Sequence, residues 1–255
     1  MKVILVQSDI VWGNPASNME KNNAVLERHK GADLVIFPEM FSTGFVTDPH
    51  GLAEEDPSTT LEWMKCKAAE YDMAIAGSVS LHKDGKFLNR FYFVKPDGDV
   101  TIYDKRHLFS FGGEGKFFTP GRERKIVEWR GWRFLLTVCY DLRFPIWLRN
   151  RGDYEAIICV ANWPVPRRMN WDTLLRARAI ENQSYALGVN RVGNDPACEY
   201  NGGTAAIHPF GDTIAECPDN EETECCIDLD KEFITNFWKT FPALIDADDF
   251  ELKNK

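Results

Sequence analysis

The sequence predicts a layered α/β protein whose strands form a mixed sheet, or two sheets face to face, with helices outside. Short apolar β runs alternate with helical segments through the first half of the chain, which implies crossover connections. Hairpin signals are interspersed among them, and crossovers combined with hairpins require both parallel and antiparallel neighbours. No low-complexity linker, composition break or internal repeat divides the 255 residues, so one domain spans 1–255.

The elements follow in order. VILVQ near the N-terminus is a strand, and NMEKNNAVLERHK has helical composition, with Asn14, Pro15 and Ser17 as start signals and Gly31 as its stop. DLVIFPEM is a second buried strand. Ser58, Thr59 and Thr60 open the helix LEWMKCKAAEYD, and the strand MAIAGSVS follows. NRFYFVKPDGDVTIYDK places two runs around Pro96-Asp97-Gly98, a hairpin signal. KIVEWRGWRFLLTV repeats that plan around Arg130-Gly131. EAIICVAN is a strand, WDTLLRARAIENQ a helix and YALGVNRV a strand. TAAIHPFGDTIAE is a hairpin over Pro209-Phe210-Gly211, and ECCIDLD adds a last strand. The tail from about Phe241, residues 241–255, is acidic without a clear element and is expected to pack across the surface or a partner subunit.

Composition excludes several classes of partner. Lys and Arg number 30 against 39 Asp and Glu, a net charge of −9, which argues against nucleic acid and anionic membranes because both demand an exposed basic surface. Arginines cluster locally, at Arg149 with Arg151 and at Arg167, Arg168, Arg176 and Arg178. In an acidic protein such clusters indicate an ion-pair network or a carboxylate site. The seven cysteines contain no CxxC pair and suit free thiols in a reducing cytosol. The N-terminal apolar run is too short for a signal peptide or a membrane span, so a cytoplasmic location is expected.

Chemistry concentrates at three strand ends. Glu39 follows the Phe-Pro that ends LVIF, Lys105 ends TIYD, and Cys139 ends LLTV. Side chains at strand ends of layered α/β proteins converge on a common crevice. A thiol, mostly protonated at neutral pH, needs a base or a nearby cation to attack. Glu39 suits the base and later the acid for a leaving amine, and Lys105 suits stabilisation of a developing oxyanion. Taken singly, each has a plainer reading: Cys139 as inert packing, Glu39 as a helix-start acid, Lys105 as part of a solvated charge cluster with Asp104 and Arg106.

Together, FPEM, YDKRHLF and CYDLRFP resemble the three signature segments of the nitrilase superfamily, the carbon–nitrogen hydrolases, from the first strand to about Pro242. The resemblance places that family's Glu–Lys–Cys triad on Glu39, Lys105 and Cys139. FGGEGKFFTPG resembles the segment carrying its second glutamate, here Glu114. It implies a four-layer α-β-β-α sandwich of two mixed sheets, no cofactor and no metal. It also implies a homodimer through helices after Cys139 and around 171–183. KRHLF…GGEG…FFTPG and VEWRGWR…VCYDLRFP are most similar to bacterial ω-amidases, which cleave the terminal amide of 2-oxo acid amides such as 2-oxoglutaramate and 2-oxosuccinamate. In the implied mechanism Cys139 attacks the amide, Lys105 and the Tyr140 backbone N–H hold the oxyanion, and Glu39 protonates departing ammonia and then activates water on the thioester. Glu114 orients Lys105 or the substrate amide. Arg143 is a candidate ligand for the substrate carboxylate, or else an ion-pair partner of Asp141 or another acid. Trp163, Phe41, Phe111 and Phe117 are candidate walls of a narrow pocket, or else core.

Other signatures fail. In GGEGKFF the glycine that a phosphate loop requires falls at Ser110, and Phe117 replaces its Ser/Thr. No GxGxxG follows a strand, no GxSxG elbow occurs, and the five histidines show no metal-ligand spacing. A Cys–His hydrolase pairing His107 with Cys139 is a further enzyme reading. The remaining alternatives are an N-carbamoyl-amine or aliphatic amide hydrolase of the same superfamily, and a non-catalytic binding module.

Overall fold

Alternation along the first strand sets the layering. In β1 (Lys2–Gln7), Val3 and Leu5 enter one apolar cluster while Ile4 and Val6 enter another, as a period-two strand buried on both faces must do. The computed structural model describes residues 1–253, and tail positions 254 and 255 lie outside the described residues. After β1 come α1 (Pro15–Arg28), β2 (Leu34–Ile36), the short β3 (Glu54–Glu55), α2 (Thr59–Tyr71), β4 (Ala74–Lys83), β5 (Lys86–Val94) and β6 (Val100–Asp104). The second half runs β7 (Ile126–Trp129), β8 (Trp132–Val138), α3 (Pro145–Leu148), β9 (Ala156–Val160), α4 (Arg168–Glu181) and β10 (Tyr185–Val189). It closes with β11 (Val192–Asn194), β12 (Glu199–Asn201), β13 (Ala205–Ile207), β14 (Thr213–Glu216), β15 (Thr223–Asp228) and α5 (Lys231–Thr240).

Two mixed sheets result. The first has the order β15-β1-β2-β4-β5-β6 with β3 beside β4, and the second β14-β13-β10-β9-β8-β7. Each has a parallel centre, β1-β2-β4 and β8-β9-β10, flanked by antiparallel strands. Between the sheets, Val3, Leu5, Ile36, Phe91 and Phe93 share a cluster with Phe134, Leu136 and Val138. On the outer face of the first sheet, Ile4, Val35 and Ile75 pack with Val25 and Leu26 of α1 and Met64 and Ala68 of α2. On the second sheet, α4 lies so close to β10 that a Cβ on Gly188 would meet Leu175 Cδ1 at 2.4 Å. The layers are therefore α-β-β-α, as the resemblance implied.

The helix starts obey local chemistry. Asn14 accepts a hydrogen bond from Ser17 N with Pro15 in the first turn, and Ser58 accepts one from Leu61 N. Four elements are absent from the sequence reading: α5, the tiny β3, and the paired β11 and β12. The tail does pack across the surface, with Gln183 Nε2 donating to Phe241 O (2.7 Å) and the Arg151 guanidinium stacking on Phe250. No helix of the described residues is long and apolar enough to cross a membrane.

Candidate active site

Strand ends from both sheets meet at one place. Lys105 directly follows β6, Cys139 directly follows β8, Asn162 lies two residues past β9, and Glu39 lies three past β2. Two of these turns demand an unusual backbone. Met40, next to Glu39, has φ 46° and Cys139 has φ 48°, a left-handed conformation that non-glycine residues adopt only when their surroundings enforce it. At Cys139 the enforcing group is Asp141. Its buried carboxylate accepts from Val138 N (2.9 Å), His107 N (2.9 Å), His107 Nδ1 (2.8 Å) and the Tyr103 hydroxyl (2.7 Å). The turn at Cys139 is thereby tied to the loop that carries Lys105.

Lys105 Nζ lies between two carboxylates, 2.9 Å from Glu39 Oε1 and 2.9 Å from Glu114 Oε2, and all three side chains are fully buried. Asn89 Nδ2 bridges the same pair, donating to Glu39 (2.8 Å) and Glu114 (3.1 Å). The other oxygen of Glu39 accepts from Asn162 N (2.9 Å), and Asn162 Nδ2 donates to the Glu39 carbonyl (2.7 Å). Phe109 N donates to Glu114 Oε2 (2.6 Å), which fixes the loop between β6 and β7. Every carboxylate oxygen in the cluster is thus held in place, as buried charge requires.

Burial works against the charge on Lys105, yet Glu114 and Glu39 together hold its pKa well above the usual lysine range. Burial raises Glu114, with Lys105 opposing and Glu39 adding to the rise. Burial and then the Glu39 carboxylate push the Cys139 thiol well up, and Lys105 only partly offsets them. Both shifts favour the protonated form, a charged lysine and a neutral thiol.

Cys139 lines a small, partly open cavity with walls that include Phe45, Phe109, Arg143, Trp163, Arg167 and Tyr200. Trp163 is anchored at both ends of its peptide by Asn190, which accepts from Trp163 N (2.7 Å) and donates to Trp163 O (2.9 Å). Arg143 lies over the Trp163 ring, 5.1 Å from its centroid, and its only side-chain hydrogen bond among the described residues goes to Asn170 (3.3 Å).

The structure brings Glu39, Lys105, Glu114, Cys139, Tyr140, Arg143 and Trp163 to this place, and leaves three expected wall residues out. Phe41 stacks on Phe37 (5.0 Å) beneath α2, in space left by Gly77, on the outer face of the first sheet. Phe111 is 90% exposed, because the 3-10 turn Ser110–Gly112 turns it outward while Phe109 faces the cavity. Phe117 packs edge-on against His50 at the surface. The Arg143–Asp141 ion pair does not form, since Asp141 is committed to the bonds above. His107 does not pair with Cys139 either, because its ring bonds Asp141 and stacks on Phe144 at 3.8 Å. Sequence reasoning missed Asn89 and Asn162, and named Arg167 only as a member of an arginine cluster. Asn162 carried a signal, a polar residue at the end of the apolar run IICVA.

The carbon–nitrogen hydrolase family model matches residues 2–237, and the chain belongs to that family. It is 43% identical to an Omega-amidase YafV of Escherichia coli strain K12, over 99% of this chain and 98% of that protein. It is 35% identical to a 2-oxoglutaramate amidase of Bacillus subtilis strain 168, covering 83% of this chain and 84% of that one. Among solved structures, XC1258 of Xanthomonas campestris, a CN-hydrolase superfamily protein with an arsenic adduct in its active site, superposes with a TM-score of 0.96. That match has 41% identity and covers 99% of both chains.

Proposed function

We propose that the protein is an ω-amidase that hydrolyses the terminal amide of a short 2-oxo dicarboxylate monoamide, 2-oxoglutaramate or 2-oxosuccinamate, to a carboxylate and ammonia. The observation that carries this reading is the fully buried Glu39–Lys105–Glu114 cluster next to a cavity that Cys139 lines. The 35–43% identity to ω-amidases over most of the chain supports the substrate class.

Cys139 Sγ attacks the amide carbon as Glu39 takes the thiol proton. The carbonyl electrons move onto oxygen, held by Lys105 Nζ–H and the Tyr140 N–H. When the tetrahedral species collapses, Glu39 returns the proton to nitrogen and ammonia leaves a thioester. Water then loses a proton to Glu39, attacks the thioester carbon and expels Cys139, which recovers its proton. Glu114 keeps Lys105 charged and positioned. Arg143, unpaired by any carboxylate among the described residues, takes the substrate carboxylate.

We also propose a homodimer through α3 and α4, which carry the exposed apolar side chains Ile146, Met169 and Ile180. Seven free thiols support residence in the cytoplasm. An ammonia-release screen over short dicarboxylate monoamides, with and without the 2-oxo group, alongside N-carbamoyl amines tests the substrate. Release from the 2-oxo amides above all others is expected. Turnover of N-carbamoyl amines alone would move the protein to that branch of the family.

A further inference from the structure

We propose that Arg167 is a second specificity-determining residue, whose guanidinium joins that of Arg143 in holding the anionic end of the substrate. This inference rests on the amidase reading above and adds to it a residue outside the signature motifs. Arg167 lines the cavity of Cys139 together with Arg143. In this chain of net charge −9 two arginines of the adjacent helix α4 are neutralised: Arg168 has Asp172 (2.8 Å) and Asp219 (2.7 Å), and Arg178 has Glu181 (2.8 Å). Neither Arg143 nor Arg167 has a carboxylate within ion-pair distance among the described residues. Two uncompensated cations in one mostly apolar cavity leave a charge that an anionic ligand fills.

The geometry keeps both heads apart from protein acids and fixed in direction. The Arg143 guanidinium lies 5.1 Å from the Trp163 ring centroid, and that of Arg167 lies 5.0 Å from the Phe109 centroid. Stacking occupies the flat faces of a guanidinium and leaves its N–H edges to bind oxygen. Trp163 links the two residues, since its ring underlies Arg143 and its indole N–H donates to Arg167 O (2.8 Å). Pro164 and Pro166 restrict the backbone leading to Arg167, so the position is set before a ligand arrives. Phe109 belongs to the loop whose N–H holds Glu114. The anion site is therefore built on the same loop that steadies the lysine cluster.

The test compares an anionic amide, 2-oxoglutaramate, with pentanamide, an uncharged amide of the same chain length, in wild type, Arg167→Gln and Arg167→Lys. Loss of one charge-assisted contact is expected to lower the anionic-to-neutral ratio of kcat/KM by roughly ten-fold to a hundred-fold, with the loss in KM rather than kcat. Arg167→Lys should recover part of it. Equal loss on both amides, as a purely structural stacking role predicts, or no loss at all, overturns the proposal. A binding measurement independent of turnover uses 2-oxoglutarate to protect Cys139 from iodoacetamide. Arg167→Gln should need at least about ten-fold more for equal protection. An unchanged requirement also overturns the proposal. Absence of ammonia release by wild type would instead defeat the amidase reading, and the protection measurement would still decide whether Arg167 binds an anion.

Discussion

At the residue scale, burial and the Glu39 carboxylate hold the proton on the Cys139 thiol, so in the proposed mechanism Glu39 accepts that proton during attack. Glu39→Gln is accordingly expected to cut kcat for amide hydrolysis by at least about a hundred-fold, in both acylation and deacylation. Near-wild-type ammonia release by that variant in a stopped assay would refute the role. Glu114→Gln removes one of the two charges that keep Lys105 protonated, so the lysine's pKa should fall. The alkaline limb of kcat/KM against pH should therefore move to lower pH, and an unmoved limb would mean that Glu114 does not set the lysine's charge. Much at this scale was legible in the sequence. Glu39 and Cys139 follow apolar strand runs and differ from them, and Asn162 could have been found the same way, whereas Lys105 lies between Asp104 and Arg106 and was set apart from them only by the family resemblance. The aromatics were not legible, because composition does not say which way a ring turns. Gly77 draws Phe41 to the far face of the sheet, and one 3-10 turn exchanges Phe111 for Phe109.

At the element scale, the contact between α4 and β10 is tight enough to be probed by one methyl group. A Cβ at Gly188 would lie 2.4 Å from Leu175 Cδ1 and 2.8 Å from Trp171 Cζ2, so the packed side chains of α4 must shift. Gly188→Ala is predicted to destabilise the protein by about 1–3 kcal/mol, as overpacking does. A urea midpoint equal to wild type would show that the layer has slack. Strand–helix alternation and the hairpin turns were readable because apolar spacing and Pro-Asp-Gly or Arg-Gly turns are local signals. The helix α5 was overlooked although Asp230 caps it, accepting from Phe233 N (2.9 Å), and its Ile234 and Phe237 are buried. Its apolar positions follow directly on a strand with no breaker between, so no change of period announced it. The pairing of β11 with β12, three residues each, rests on partners that no local pattern reveals.

At the scale of the whole molecule, two sheets pressed together bury ionisable groups that would otherwise titrate in the alkaline range. Burial, joined by nearby carboxylates, holds the Cys139 thiol and the Tyr103 phenol well above their ordinary values of 9.0 and 10.0, and pushes Cys159 to about 12. Lys105 is likewise held above 10.5 by its two carboxylates. Above pH 9 the unfolded chain gives up these protons and the folded one keeps them, so the unfolded state binds fewer protons and stability falls with rising pH. Each group adds a slope of about 1.4 kcal/mol per pH unit once its unfolded form has titrated. Urea midpoints measured from pH 7 to 11 should hold until about pH 9 and then drop. A flat profile to pH 11 would contradict the burial of these groups. The layered architecture was legible as a class, and its exact pairing of distant strands was not. The claim on which everything turns is that one sulfur, lit by the lysine and carboxylates behind it, makes and breaks the acyl bond. Ammonia release from 2-oxoglutaramate by Cys139→Ala, in protein whose circular dichroism matches wild type, tests it most directly. The expected result is a rate reduced by at least about a thousand-fold; a variant that keeps a substantial share of wild-type activity would contradict the account.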